Sequence, residues 1–215
     1  MNYWDVAAQD FDSLYEPSHH IRFALNRWLR RGLFQRVELA CEAIREMGAP
    51  TVLDVGCGSG RNIPMFLNAG ASHVTGIDSS VEMLRLAAEH LKRTNSSAKT
   101  DLVTADFLRM QTPPRADLAA ALGVFDYLHE DAPEFLRKMA ECARGRIVFT
   151  APGRSFVRAP LRALRYKRKG VRVHFYRRKE LQDLCKNAGL SRFTVTRISS
   201  SGYFVTGWKE DAGSR

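Results

Sequence analysis

Long apolar runs are missing from this sequence. Its unbroken hydrophobic stretches are only a few residues, against about 20 for a membrane-spanning helix, so such a helix is excluded. The opening segment, MNYWDVAAQDFD, has no basic region followed by an apolar one. No secretory signal is expected and the reading is a cytoplasmic protein. Cysteine is scarce: Cys41, Cys57, Cys142 and Cys185 are scattered, with no C-x-x-C pair and no histidine at ligand spacing. That argues against a disulfide framework and a zinc site, and leaves four reduced cysteines acting as small apolar residues, with no metal expected. Internal repeats and low-complexity tracts are also absent.

Acidic residues are absent from one long segment. Between Arg144 and Lys179 there are thirteen basic residues and no acidic one. The whole chain carries 33 Lys+Arg against 23 Asp+Glu, so the remainder holds 20 against 23, or −3. The net charge of +10 is therefore a local feature. It implies an anionic partner near that segment, the competing reading being a solvated basic face.

What is present is the composition of a soluble globule. With 215 residues, 45% hydrophobic and 26% charged, the chain can bury a sizeable core as one large α/β domain or two small ones. Residues 1–18 are polar and aromatic-rich and read as an arm. From His19 to Met47 apolar residues recur at three- and four-residue steps, which predicts helix, with a break near Gly32. Strands are predicted at Thr51–Val55, His73–Ile77, Leu102–Thr104, Leu118–Leu122 and Arg146–Thr150. Helices are predicted at Asn62–Ala69, Val81–Lys92, Pro133–Ala143 and Lys179–Asn187, the second capped by Ser79 or Ser80 and the last stopped by Gly189. Phe193–Ile198 and Tyr203–Trp208 read as a closing hairpin. Strand–helix alternation predicts a mainly parallel sheet covered on both faces, whose ligands bind beyond the carboxyl ends of the strands.

The first strand runs into Val52-Leu53-Asp54-Val55-Gly56-Cys57-Gly58-Ser59-Gly60. The glycines allow a tight turn and close approach of a ligand to backbone. The third glycine falls one residue early for the dinucleotide fingerprint, whose last position is Arg61, and no G-K-[ST] follows; phosphate cradling is disfavoured. Asp54 beside the turn suits a cationic group. Asp78, ending the second strand, can accept both hydroxyls of a ribose. Asp106-Phe107 ends the third strand and could serve adenine through the carboxylate and the Phe107 amide.

The residues Val52–Gly60, Gly76–Asp78 with Met83-Leu84, Ala105-Asp106-Phe107 and Asp117–Tyr127 resemble the class I S-adenosylmethionine-dependent methyltransferases, and the whole chain looks like small bacterial members related to the porphyrin and quinone O-methyltransferases. The resemblance implies a Rossmann-like three-layer sandwich, with a seven-stranded, mainly parallel sheet and a C-terminal antiparallel hairpin. It implies one domain over 1–215: arm and helices to 47, cofactor-binding core over 48–151, basic insert over 152–178, terminal helix and hairpin over 179–215. By position, Gly56, Cys57, Gly58 and the Asp54 neighbourhood would hold the methionine part of S-adenosyl-L-methionine. Asp78 would bind the ribose; Ile77, Ser79 and Met83 would flank ribose and adenine; Asp106 and Phe107 would meet the adenine edge. Leu122 and Gly123 would approach the sulfonium. Phe11 and Tyr15 are either a lid from the N-terminal arm or core packing.

Methyl transfer from a sulfonium needs chiefly positioning, and a base only when the acceptor proton must leave. His129 is the preferred base because an imidazole titrates near neutrality, and Asp126 and Tyr127 either assist or shape the pocket. Arg158, Arg162 and Arg165 of the basic insert, with His174 and Tyr176, are the expected acceptor contacts. They point to methylation of an O or N on a small anionic or amphiphilic molecule, or to docking at an acidic membrane. Nucleic acid is the less favoured partner: Gly123-Val124-Phe125-Asp126 replaces the [DNS]-P-P-[YF] of amino-methylating enzymes, and no cysteine lies where an RNA cytosine enzyme needs one. A non-catalytic cofactor-binding protein is the third alternative, and the intact acids and glycines argue against it.

Overall fold

The computed structural model describes residues 31–154, 173–198 and 202–209. Helix α1, Arg31–Met47, turns Val37, Ala40, Cys41 and Ile44 into the core. It is followed by β1 (Thr51–Val55), α2 (Ile63–Asn68), β2 (His73–Asp78), α3 (Val81–Arg93), β3 (Thr100–Thr104), β4 (Ala116–Ala121), α4 (Phe125–Leu128), α5 (Ala132–Cys142), β5 (Ala143–Pro152), α6 (Arg178–Asn187), β6 (Arg192–Ile198) and β7 (Gly202–Trp208). Ser80 caps α3, its side chain accepting from Met83 N at 3.2 Å, an interaction of about 1 kcal/mol.

The strands form one seven-stranded sheet in the order β3-β2-β1-β4-β5-β7-β6. β1 to β5 pair in parallel, whereas β7 lies antiparallel between β5 and β6. This is the anticipated Rossmann-like sheet with its terminal antiparallel pair. Strand direction along the chain reverses its order between β1 and β4, so the crevice at their carboxyl ends is the switch point where ligands bind.

The central strands of the sheet are dry on both sides. Leu53, Ala119, Ala121, Ile147 and Phe149 face a core with Phe125, Phe135, Leu136 and Met139. Their neighbours Val52, Leu118, Ala120 and Val148 face a second core with Ile44, Ile63, Phe66 and Leu84. Strand alternation sends successive side chains to opposite layers, and helices must cover both. Phe66, Phe125 and Phe149 are fully buried, each stabilising by roughly 2–3 kcal/mol. At the amino ends of the strands Asp117 ties β4 to β1, its Oδ2 accepting from Thr51 N at 2.8 Å and Thr51 Oγ1 at 2.7 Å. All four cysteines are free and buried.

Two boundaries depart from the periodicity. β5 spans Ala143–Pro152 rather than Arg146–Thr150, because β4 pairs with it back to Ala143 and β7 pairs with it on to Pro152. A one-turn helix, Phe125–Leu128, stands where no element was predicted. Phe11, Tyr15, the part of the predicted His19–Met47 helix that precedes Arg31, and Arg158, Arg162 and Arg165 lie outside the described residues.

Candidate functional site

The carboxyl end of β1 supplies both an acid and a turn. Gly56, Gly58 and Gly60 all have positive φ, at 74°, 55° and 70°. The turn is fixed to β2: Gly56 N and Cys57 N both donate to Ile77 O, at 2.7 and 3.0 Å. A Cβ on Gly56 would stand 2.5 Å from Val124 Cγ2, and one on Gly60 would press Ala87 of α3 at 3.0 Å. Gly60 thus performs the close packing for which the dinucleotide pattern uses the next residue. A Cβ on Gly58 would meet nothing within 4 Å, so this is the glycine over which a ligand has room. Cys57 is buried against Gly76; burial, then the charges of Asp54 and Asp78, hold its thiol well above the ordinary range.

Asp78 closes the loop from the neighbouring strand. One carboxylate oxygen accepts from Gly58 N at 2.9 Å, the other from Ser80 N at 2.9 Å. A carboxylate oxygen can accept more than one hydrogen bond, and Met83 is buried in α3. Ala105 N donates to Asp78 O, which brings the end of β3 alongside. There Asp106 caps a single 3-10 turn, Phe107–Arg109, accepting from Leu108 N at 3.1 Å. The Phe107 ring is buried edge-on against Phe135, leaving its backbone, not its ring, for a ligand.

Asp54 is buried, and its Oδ2 has no hydrogen-bond partner among the described residues. Burial, reinforced by Asp78 and opposed by Arg36, pushes its carboxyl up to about 7. Arg36 is the residue that sequence reasoning missed. It lies on α1 with its Nε also buried and without a partner, and its Nη1 stands 2.8 Å from where a Gly123 side chain would begin. Gly123 follows β4 with φ 87° and donates its N–H to Thr150 Oγ1 at 2.8 Å. Burying polar atoms without partners is costly. An acid and a base, each with a buried polar atom that lacks a partner among the described residues, have the charges to complement a zwitterion, a carboxylate at Arg36 and an ammonium at Asp54.

A family model described as a methyltransferase domain matches residues 52–145. The chain carries a methyltransferase domain of the S-adenosylmethionine-dependent kind. Among curated proteins, this methyltransferase is 26% identical over 210 residues to a ubiquinone biosynthesis O-methyltransferase of Aromatoleum aromaticum, covering 92% of this chain and 80% of that one. A protein of the same name from Thiobacillus denitrificans is 27% identical, over 63% of this chain and 51% of the relative. In fold, the methyltransferase resembles a magnesium protoporphyrin IX methyltransferase of Synechocystis PCC 6803 solved with SAH, at TM-score 0.77 and 17% identity, covering 97% of each chain.

Beyond Gly123, α4 of the methyltransferase carries the remaining predicted residues. Asp126 is buried, and its carbonyl accepts from His174 N at 3.0 Å. His129 ends α4 at φ 45°, ψ −113°, a conformation that costs a non-glycine residue about 1–3 kcal/mol. Its ring centroid is 5.8 Å from that of His174, which lies 4.5 Å from Tyr176. Burial, foremost, and the His129 charge lower the His174 imidazole below its usual value. Tyr176 stands in the core instead of lining a ligand: it is 3% exposed and its hydroxyl donates to Phe125 O at 3.2 Å. It also tethers the neighbouring chain, bridging Gly153 and accepting from Arg154 N.

Proposed function

We propose that this methyltransferase alkylates an oxygen of a small acidic acceptor with an apolar body, such as a phenol or carboxylic acid. The observation that carries the reading is the unsatisfied Arg36–Asp54 pair beside the ribose-ready Asp78, a donor set that fits S-adenosylmethionine. Arg36 would hold the carboxylate of the methionine part, and Asp54 its ammonium. Gly56 and Gly58 would let that chain approach the backbone; Cys57, beneath the turn, would support it. Asp78 would take the ribose hydroxyls, Ser79 and Met83 flanking it, and Asp106 with the Phe107 amide would read adenine. Leu122 and Gly123 would face the reacting sulfur.

Bound there, S-adenosylmethionine would supply an activated methyl group, and the surrounding residues would hold the acceptor oxygen in line with it. Holding the oxygen in line provides much of the acceleration. His129 would remove the acceptor proton, with Asp126 and Tyr127 shaping the wall and His174 beside it. The names of the curated relatives support oxygen as the acceptor atom. The acidic character is supported by the basic residues of 154–179, including Arg158, Arg162 and Arg165, because both ends of that segment are tied beside α4. The same charge supports a second reading, contact with an acidic membrane surface where such acceptors partition.

The test is turnover with methyl-labelled S-adenosylmethionine against paired acceptors: hydroxybenzoates and long-chain phenols, each beside the analogue in which every acidic oxygen is already methylated. Labelled product from the acids and none from the capped partners is expected. Methylation of amines alone would refute the oxygen assignment. Turnover that anionic vesicles leave unchanged would remove the membrane reading.

A further inference from the structure

The turn proposed to read adenine is held from behind by α5, a helix that contributes no residue to the proposed cofactor contacts. In the turn Phe107–Arg109, the N–H groups of Arg109 and Met110 return to Asp106 O. The carbonyls of Leu108 and Met110 instead accept from Lys138 Nζ, the former at 2.7 Å. Lys138 lies on α5, and its ammonium also stands 5.6 Å from the centroid of the Phe107 ring. Phe135, three residues earlier on the same helix and hence on the same face, grips that ring at 5.1 Å, edge to face. One helix face therefore fixes the turn twice, through its ring and through its carbonyls. An ammonium has three donors and no acceptor, so two backbone oxygens and a ring face suit it better than any neutral side chain of that length.

We infer that Lys138 is a positioning residue for adenine recognition, setting the pose of the Phe107 amide and the Asp106 carboxylate without touching the cofactor. This rests on the reading of Asp106 and Phe107 as the adenine contacts. Without the ammonium, the turn keeps Phe135 but loses the anchor that fixes its carbonyls, and with them the direction of the adjoining N–H. The loss should appear as poorer discrimination between bases more than as poorer folding.

The experiment compares binding of S-adenosylhomocysteine and S-inosylhomocysteine, which exchanges the exocyclic amine for a carbonyl, by calorimetry. Wild-type protein, Lys138→Met and Lys138→Arg are measured, with thermal melts of each. Wild type should prefer the adenosine compound clearly. Lys138→Met should weaken that compound about tenfold, in line with the loss of charge-assisted hydrogen bonds, and leave the inosine compound within about twofold, so the preference collapses. Lys138→Arg should restore most of it. In turnover, Lys138→Met should raise KM for S-adenosylmethionine and leave kcat at saturation unchanged. If Lys138→Met does not fold, Lys138→Gln, with one amide donor group, takes its place and should show the same collapse.

Equal weakening of both compounds, or an undiminished preference in a folded variant, would overturn the inference while leaving the cofactor site intact. A wild type that does not distinguish the two compounds would overturn the adenine assignment itself, and this inference with it. Asp106→Asn separates these failures, because it should erase the preference in the presence of Lys138.

Discussion

Replacing Asp54 with asparagine should make the ligand-free protein more stable and a poorer binder. An aspartate in an unfolded chain titrates near 4, whereas burial holds Asp54 at about 7 in the fold. Between those values the folded state binds more protons than the unfolded one, so stability falls as pH rises from about 4 to about 7, then levels. Three units at about 1.4 kcal/mol each give a ceiling of ~4 kcal/mol. Asparagine carries no charge to bury. At pH 8 Asp54→Asn should therefore melt higher than wild type by up to ~16 °C, on the scaling of about 2–4 °C per kcal/mol for a chain of this size. Near pH 4.5 the two melts should nearly coincide. Binding should move oppositely. S-adenosylhomocysteine brings an ammonium that favours the ionised carboxylate, so wild-type Kd should tighten up to tenfold per unit as pH rises towards 7 and flatten above it. The asparagine variant should bind 10- to 100-fold more weakly, equivalent to about 1.4–3 kcal/mol, with no such slope. Thermal melts and calorimetry at pH 5, 6, 7 and 8 measure both. A wild-type melt that stays flat from pH 5 to 7, or a Kd indifferent to pH, would refute the claim that this carboxyl waits neutral for a cation.

Gly56→Ala should destabilise by about 2 kcal/mol or more, because the new methyl meets Val124 at a positive φ. Gly58→Ala, with open space around it, should cost about 1 kcal/mol in denaturant melts yet weaken S-adenosylhomocysteine far more than that; unaltered binding would mean the ligand does not cross Gly58. His129→Gly relieves the strained backbone and removes the proposed base. Stability should rise by about 1 kcal/mol while turnover falls about 10²–10⁴-fold with cofactor Kd unchanged, and retained turnover would dismiss His129 as the base. Thr51 holds the Asp117 carboxyl below its usual range through two hydrogen bonds. That stabilisation is present above about pH 4 and disappears as pH falls through the lowered value. Thr51→Val should therefore cost about 1 kcal/mol at pH 7 and much less near pH 2 in urea titrations.

The strands and the acids at their ends were legible because their signals are local. Val52–Val55, Val74–Ile77 and Leu118–Ala121 are apolar on both faces, as parallel strands must be, and an acid at the end of such a run is conspicuous. What escaped was set by contacts distant in sequence. Arg36 sits between Gln35 and Val37 on an amphipathic helix. Only the folded structure shows that this polar position leans over Gly123, at the end of a strand in the middle of the sheet. Tyr176 reads as a polar aromatic near a histidine, yet its bridge to Gly153 carries it into the core. Lys138 follows the helical pattern of an exposed lysine, and its acceptors are carbonyls, which no side-chain motif records.

Three buried side-chain atoms lack hydrogen-bond partners among the described residues: Arg36 Nε, Asp54 Oδ2 and Arg146 Nε. Their surroundings distinguish a structural cation from a receptor. Arg146 donates from Nη1 to both Ala43 O and the Glu46 carboxylate, and its guanidinium lies 5.5 Å from the Trp208 ring, which Arg192 approaches at 4.3 Å. One idle nitrogen within that set costs little, since the charge itself is already compensated. Asp54 has no such company: its nearest named charges are a second acid, Asp78, and Arg36, which acts on it through space. A pair of opposite charges free to approach would ordinarily close into a bidentate contact. Here the strand end and α1 hold them apart, and the penalty of each is removed only by a molecule carrying both complementary charges close together. On the proposed placement of the cofactor, that requirement would be met by its amino-acid end and not by its nucleoside, so the nucleoside alone should bind weakly and without the pH slope expected of Asp54.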